Sequence, residues 1–260
     1  MAGINKVPSI MLYSFVVQDL PRIVYTDPTL VVVLKPAGWL AIPDRYDPNA
    51  PVALNTLEKD FGKLFVVHRI DKDTSGLLVY AKTAEAHRIL SEQFASRLVE
   101  KRYLAIVRGR PECDEWVCDM PLLADADRFH RTIVDTRRGK PAFTRFVVKA
   151  RYSDYSLVQA LPETGRTHQI RVHAAKTGYP ILADPLYGDG KPLLLSKLKK
   201  GWKGDVFEER PLMSRTALHA EYLGFEHPET GQKLEFIAQL PKDFSASIAQ
   251  LEKLTKATAL

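Results

Sequence analysis

The chain has 260 residues, 45% of them hydrophobic, which is enough to bury a substantial core in one large domain or in one domain with two lobes. Its net charge of +6 favours a polyanionic partner such as RNA or DNA, although a slightly basic enzyme of small molecules has the same balance. The two cysteines, Cys113 and Cys118, exclude a disulfide framework, and without His or Cys residues nearby they exclude a zinc site.

The N-terminal region lacks the features of a targeting sequence. An apolar stretch covers residues 7–17, but Pro8 and Ser14 interrupt it and no convincing small-residue cleavage site follows. No apolar run in the sequence approaches the length of a membrane span. We therefore expect a cytoplasmic protein without membrane contact, in which residues 1–21 form an N-terminal extension.

The first half of the sequence predicts short strands separated by turns. Arg22–Thr26 and Leu30–Lys35 are rich in β-forming residues, and Asp27-Pro28-Thr29 between them is a turn signal. Two further apolar runs, at Leu64–His68 and Leu77–Lys82, enclose a polar segment. A charged loop held between buried strands is a common place for chemistry, so this segment is a candidate site.

A helix is predicted to begin at Thr83. Ile89, Leu90, Phe94 and Leu98 recur at helical spacing and give this helix an apolar face.

The second half of the sequence adds strands, hairpins and two more helices. The predicted elements are, in chain order, a strand at Tyr103–Val107, a turn-rich insertion at 112–142, a hairpin of Phe143–Arg151 and Ser156–Ala160, a helix at Thr167–Thr177, a Lys-rich loop at Lys191–Lys203, a hairpin of Leu218–Phe225 and Lys233–Ala238, and an amphipathic helix from Asp243 to about Ala257. Hairpins dominate, and strands do not alternate regularly with helices. This order favours an α+β fold, a mostly antiparallel sheet with flanking helices in one domain over residues 22–260, and not a doubly wound fold.

Two segments carry the strongest functional signal. In the first, His68-Arg69-Ile70-Asp71 is followed by Thr74-Ser75-Gly76 and a strand. The second contains the pattern GRxHQxRxH, formed by Gly165, Arg166, His168, Gln169, Arg171 and His173. Together the two segments resemble the RluA-type RNA pseudouridine synthase family, whose signatures are HRxD followed by TSG, and GRxHQxRxH.

The resemblance covers most of the chain, from about Arg22 to about Leu240. It includes a KxYxAxVxG pattern that ends at Gly109 and, later, an LHA triplet. The end of the second signature departs from the family at two positions, where Tyr179 replaces His and Ala183 replaces Gly. Neither departure is expected to touch catalysis.

The resemblance implies a reaction and the residues that perform it. Pseudouridine formation breaks the C1′–N1 bond of a uridine, turns the uracil and rejoins it through C5. Asp71 is implied as the catalytic carboxylate, acting either as a nucleophile at C1′ or as the base that removes a ribose proton. Arg171 is implied as its ion-pair partner, Tyr103 as the ring that stacks on the uracil, and Leu218 as a wall against water. No cofactor or metal is implied.

The implied partner is structured RNA, a stem-loop of ribosomal or transfer RNA, whose target uridine must be flipped out of its stack. Arg69 is the candidate for the space that the base leaves, and Arg166 and His168 are candidates for contacts to the RNA backbone. The segment before Arg22 is too short for a separate RNA-binding module, so a monomeric catalytic domain is expected to recognise the RNA. The lysines of Lys191–Lys203 form either a solvated loop or a surface for phosphates.

Simpler interpretations of single residues stay open. Taken alone, Asp71 could be a turn or capping residue, Arg171 a surface residue and Tyr103 a core residue.

Two other functions fit parts of the sequence. Asp71-Lys72-Asp73-Thr74 matches the DxDxT loop of a Mg²⁺-dependent phosphotransferase of the haloacid-dehalogenase class, with Asp205 and Glu209 as a distal acidic pair. The other alternative is an RNA-binding or ribosome-assembly factor that has lost its activity.

Overall fold

The computed structural model describes residues 20–44 and 48–258. The apolar stretch at residues 7–17, and all but the last two residues of the predicted N-terminal extension, lie outside the described residues. The elements are, in chain order, β1 (Arg22–Thr26), β2 (Leu30–Lys35), α1 (Ala53–Phe61), β3 (Phe65–Val66), β4 (Ser75–Ala81), α2 (Ala84–Ala95), β5 (Glu100–Arg108), β6 (Glu115–Asp119), β7 (Leu122–Leu123), β8 (Ile133–Val134), β9 (Phe143–Arg151), β10 (Tyr155–Pro162), α3 (Gln169–Lys176), α4 (Leu195–Leu198), β11 (Leu218–Glu226), β12 (Lys233–Ile237) and α5 (Lys242–Thr258).

Ten of the described strands form one sheet. The order along its main path is β1-β2-β4-β11-β5-β10-β9-β6, with β3 beside β4 and β12 beside β11. Within the described residues, neighbouring strands of this sheet are antiparallel, except that β4 and β11 run parallel. The short strands β7 and β8 form a separate antiparallel hairpin. The predicted α+β fold with a mostly antiparallel sheet is confirmed.

Strand β11 joins the two halves of the sheet. It lies between β4 and β5, so that Gly76, Ala220 and Tyr103 form one row across three strands. Gly76 makes this close packing possible, because its φ is +124° and a Cβ atom there would lie 2.3 Å from the carbonyl oxygen of Ala220. A residue with a side chain could not adopt this backbone conformation or this approach without strain.

Apolar side chains cover both faces of the sheet. On one face of the first half, Leu90 of α2 packs with buried residues of β2, β4 and β11. On the opposite face, Leu57 of α1 packs with the alternate residues of β2 and β4. In the second half, Ile170 of α3 and Phe244 of α5 pack with buried residues of β5 and β10. The alternation of side chains along the strands therefore gives the sheet a core on each side.

The helix predicted from Thr83 is confirmed, but its apolar face is shorter than expected. The Thr83 hydroxyl accepts a hydrogen bond from the N–H of Ala86 and caps the helix as α2 begins. Helix α2 ends at Ala95, and Arg97 takes a left-handed φ of 61°. Leu98 is therefore outside the helix and exposed, which corrects its assignment to the apolar face.

Other elements differ from the sequence prediction in detail. The segment 112–142, predicted as a turn-rich insertion, contains β6, which pairs with β9, and the β7–β8 hairpin. Helix α1 was not predicted, and the Lys-rich loop includes the short helix α4. Within the described ranges, no helix is long and apolar enough to cross a membrane.

We expect the substitution Gly76→Ala to destabilise the protein by about 3 kcal/mol or more, because the new methyl group clashes with the backbone of Ala220. Gly165→Ala is the matched control, since no atom lies within 4 Å of the position that its Cβ would take. Urea denaturation should show a lower midpoint for Gly76→Ala and a change within about 0.5 kcal/mol for the control. Equal midpoints for the two variants would contradict the close-approach argument.

We also expect stability to fall as the pH drops from 6.5 toward 4. Burial, together with the charge of Arg215, lowers the pKa of His219 from 6.5 to about 4. Below pH 6.5 the unfolded chain therefore binds a proton that the folded chain excludes. His219→Asn should flatten this dependence by about 1 kcal/mol per pH unit. The measurement is the free energy of unfolding at several pH values, and an unchanged slope would contradict the assignment.

Candidate active site

The loop that carries Asp71 is fixed by the buried ammonium group of Lys35. The Lys35 Nζ donates hydrogen bonds to the carbonyl oxygens of Pro36 at 3.0 Å, Trp39 at 2.6 Å and Lys72 at 3.0 Å. Burial lowers the pKa of Lys35 to about 7, and the charges of Asp71 and Asp73 oppose that shift. Three acceptors engage all three protons of the ammonium form, so that the chain after β2 is held to the chain before β4.

Arg171 lies between two carboxylates. Its Nε and Nη2 donate to the two carboxylate oxygens of Asp184 at 2.7 and 2.9 Å, and its Nη1 lies 3.4 Å from Oδ2 of Asp71. Asp184 is fully buried and also accepts the backbone N–H groups of Leu186 and Tyr187. Burial acts to lower the pKa of Arg171, but the hydrogen bonds of Asp184 and the charge of Asp71 raise it overall. The predicted pair of Asp71 and Arg171 is therefore present in the geometry, with Asp184 as an anchor behind it.

His168 contacts the same carboxylate from another side. Its Nε2 lies 4.0 Å from Oδ2 of Asp71, and its Nδ1 lies 2.8 Å from the hydroxyl of Tyr187. That hydroxyl accepts the backbone N–H of Thr132, so its own proton is free to be donated to Nδ1 of His168. Burial lowers the pKa of His168 below its ordinary value, which favours the neutral ring. The network thus assigns the remaining ring proton to Nε2, on the side of Asp71.

A cavity of about 370 Å³ opens beside Asp71, within the size range of small-ligand sites. Tyr103 of β5 and Leu218, the first residue of β11, border it together with Ile70 and Phe94. Burial and the charge of Asp71 raise the pKa of Tyr103, which keeps its hydroxyl protonated. The cavity therefore offers aromatic and apolar walls with a carboxylate at one end.

Comparison with known proteins identifies the family of this chain. The family model described as RNA pseudouridylate synthase matches residues 29–176, which is more than half of the chain. The chain belongs to this family. It is an RNA pseudouridine synthase, an isomerase, and its relatives place it in the RluA type.

The similar proteins include bacterial enzymes and a human structure. A ribosomal large subunit pseudouridine synthase D from Zymomonas mobilis is 41% identical over 242 residues, which cover 87% of this chain and 71% of that protein. A ribosomal large subunit pseudouridine synthase C from Haemophilus ducreyi is 36% identical over 250 residues, covering 95% of this chain and 74% of that one. The solved structure of human RNA pseudouridylate synthase domain containing 4 has a TM-score of 0.66 at 26% identity, and the match covers 89% of this chain and 93% of that chain.

The structure places all seven residues singled out in the sequence around the cavity of this pseudouridine synthase. Asp71, Tyr103, Arg171 and Leu218 border the cavity, as do Arg69, Arg166 and His168. Arg69 and Arg166 are exposed at its rim. The guanidinium of Arg69 donates to the hydroxyl of Thr167 at 3.2 Å, and that of Arg166 donates to the carbonyl of Pro141 at 3.1 Å. His168 lies deeper in the cavity, next to the carboxylate of Asp71.

Three residues of the site have no role in the sequence prediction, namely Lys35, Asp184 and Tyr187. Asp184 and Tyr187 belong to the end of the second signature, so the motif marks them without saying what they contact. Lys35 ends a run of apolar residues directly before the turn at Pro36-Ala37-Gly38. A lysine at the end of a buried strand was a usable signal, because a buried ammonium group needs acceptors nearby.

The phosphotransferase alternative is wrong for this family and for this fold, since the sheet is not doubly wound. Asp205 and Glu209, the distal acidic pair of that alternative, each accept a hydrogen bond from a nearby backbone N–H group. The carboxylate of Asp205 accepts the N–H of Phe207 at 2.8 Å, and that of Glu209 accepts the N–H of Ser196 at 2.8 Å. Neither acidic residue is among those that border the cavity.

We expect Asp184→Asn to lower stability by about 3 kcal/mol and the rate of pseudouridine formation more than tenfold, because Arg171 loses its charged anchor. The matched control is Asp189→Asn, which breaks a partly exposed ion pair with Arg108 and should cost less than about 1 kcal/mol. Urea denaturation and single-turnover kinetics on unmodified RNA measure the two effects. Equal behaviour of the two variants would rule out an anchoring role for Asp184.

Proposed function

We propose that the chain converts specific uridines of structured ribosomal RNA into pseudouridine, with Asp71 as the catalytic carboxylate. The observation that supports this most directly is the position of Asp71. Its carboxylate lies 3.4 Å from the Arg171 guanidinium and borders a cavity that also contains Tyr103 and Leu218. A charged carboxylate at the end of an apolar and aromatic cavity suits a reaction on a planar base and its sugar.

The reaction replaces the C1′–N1 bond by a C1′–C5 bond and exchanges one proton. The C1′–N1 bond of the uridine breaks, the uracil turns, and C5 bonds to C1′ while its proton is released and N1 takes up a proton. Asp71 contributes either by bonding to C1′ or by removing a proton from the ribose, and both steps begin from the ionised carboxylate. Arg171 supplies the positive charge beside it.

Tyr103 and Leu218 hold the base and exclude water. The uracil is detached from the sugar during the turn, so it needs a surface that keeps it in place without fixing its orientation. An aromatic ring offers such a surface through stacking. Leu218 is buried at the cavity wall and keeps water from the C1′ atom, where it would capture the sugar.

Arg69, Arg166 and His168 contact the RNA. A uridine reaches the cavity only when it is flipped out of its stack, which leaves a gap. Arg69 is exposed at the rim, and its planar guanidinium suits stacking or hydrogen bonding in that gap. Arg166, also at the rim, contacts the backbone phosphates. His168 presents its Nε2 proton toward Asp71 and the ribose.

The relatives favour ribosomal RNA as the substrate class. Two of the similar proteins carry names that refer to the large ribosomal subunit, at 41% and 36% identity. Transfer RNA is the alternative, and unmodified transcripts of both RNA classes therefore belong in the same assay.

We expect Asp71→Asn to abolish pseudouridine formation while RNA binding persists, because the isosteric amide keeps the shape but lacks the charge. The matched control is Asp73→Asn, in the same loop, which should keep most of the activity. A cell lacking the gene is complemented with each variant, and pseudouridines in ribosomal RNA are mapped by carbodiimide-blocked primer extension. Sites that vanish in the deletion should return with wild-type protein and with Asp73→Asn only.

Two results would overturn the proposal. If Asp71→Asn restores every missing site, Asp71 is not the catalytic carboxylate. If purified wild-type protein modifies only transfer RNA transcripts, the substrate class is wrong although the activity stands.

A further inference from the structure

A second cavity lies on the other side of Asp71. Its volume is about 610 Å³, and it shares four polar residues with the first cavity, Arg69, Asp71, His168 and Arg171. The target uridine occupies the first cavity in the proposed function, and RNA is a continuous strand. The second cavity adjoins the first at Asp71, and it provides space for a nucleotide next to the target.

One wall of the second cavity is the connection between β7 and β8, residues 124–132, which we name the arm. Ala124, Asp125 and His130 of the arm border the cavity. Next to them the arm presents Phe129, whose side chain is 56% exposed. The guanidinium carbons of Arg128 and Arg131 lie 4.8 and 5.6 Å from the centre of its ring. An exposed aromatic ring with two guanidinium groups beside it has the composition of a platform for an RNA base and its phosphates.

The acidic residues of the arm are engaged with other residues of the arm and not with Arg128. The Asp127 carboxylate accepts the backbone N–H of Phe129 at 2.9 Å and the Nε–H of Arg131 at 2.7 Å. Asp125 pairs with the imidazole of His130. Among the described residues, no carboxylate lies within ion-pair distance of Arg128. Arg69 and Lys72 also border the cavity, together with the carboxylates of Asp44, Asp71 and Asp73.

The end of the arm is held to the site, and the arm has a hydrogen bond of its own. The backbone N–H of Thr132, at the end of the arm, donates to the Tyr187 hydroxyl at 2.8 Å, and that hydroxyl contacts His168 at 2.8 Å. Inside the arm, the N–H of Ala126 donates to the carbonyl of Arg131 at 2.9 Å. A binding element that is already ordered loses little conformational entropy when it binds.

We propose that the arm is a nucleotide-binding element in which Phe129 stacks on an unpaired base next to the target uridine and Arg128 holds a backbone phosphate. This rests on the proposed function, because that function places the reacting nucleotide at Asp71. The arm supplies affinity and position for the flanking strand, and the first cavity supplies the chemistry.

The test measures RNA binding and turnover separately with full-length protein. The probe is an unmodified transcript of the large-subunit ribosomal RNA, and binding is measured in an Asp71→Asn background, where turnover is blocked. Phe129→Ala should raise the dissociation constant about tenfold, the usual loss for one stacked base, while Phe129→Tyr keeps the affinity. Arg128→Gln should reduce the slope of log K against log salt by about 0.7, the effect of one phosphate contact on a single strand.

The matched control is Phe207→Ala, which removes an equally large, fully exposed ring that borders neither cavity. Thermal melting of each variant checks that the fold is intact. In the active background, single-turnover rates at saturating RNA should stay within about twofold for Phe129→Ala, because the reacting groups are untouched.

Two outcomes overturn the proposal for the arm. One is an affinity of Phe129→Ala equal to that of Phe207→Ala. The other is a loss of the saturated rate at unchanged affinity, since the arm would then support the site and not the RNA. Failure of the proposed function looks different, because wild-type protein would then form no pseudouridine in this RNA whatever the affinities of the arm variants are.

Discussion

The site depends on one guanidinium group that is shared unequally between two carboxylates. Arg171 gives two short hydrogen bonds to Asp184 and one contact of 3.4 Å to Asp71. Buried charges are costly unless they are paired and hydrogen-bonded, and Asp184 meets that condition fully through Arg171 and two backbone N–H groups. Because Arg171 binds Asp184 more closely than Asp71, the two carboxylates have different roles. One carboxylate is saturated and holds the cation, and the other keeps its lone pairs available for a substrate.

This arrangement also explains why the supporting residues come from distant parts of the chain. Lys35 fixes the loop of Asp71 from the side of β2, and Tyr187 fixes His168 from the segment after α3. Each contact connects a polar group near the reaction to backbone that is itself held by the sheet. The precision of a site depends on such supporting contacts as much as on the residues that react.

Much of the fold could be predicted from local sequence patterns. The strands β1 and β2 match their predicted bounds because β-rich runs and a turn signal are local features, and Thr83 caps α2 for the same reason. Leu98 was misplaced because its spacing is helical although the helix ends at Ala95. The residues of the site came from the family signatures, which name positions but not contacts. The anchoring of Arg171 by Asp184 is a contact between buried side chains, and no local pattern encodes it.

The insertion of β11 between β4 and β5 was also beyond local patterns, and it has a consequence for biosynthesis. A ribosome makes β4 and β5 well before β11, and until Leu218–Glu226 emerges one edge of β5, together with the start of β4 at Ser75 and Gly76, lacks its partner strand. Such edges are open to wrong partners, so the nascent chain passes through an aggregation-prone interval that ends only when one strand closes the gap. That same strand brings the Asp71 loop and Tyr103 into one sheet. The protein therefore completes its catalytic pocket and protects its sheet in a single late step of synthesis.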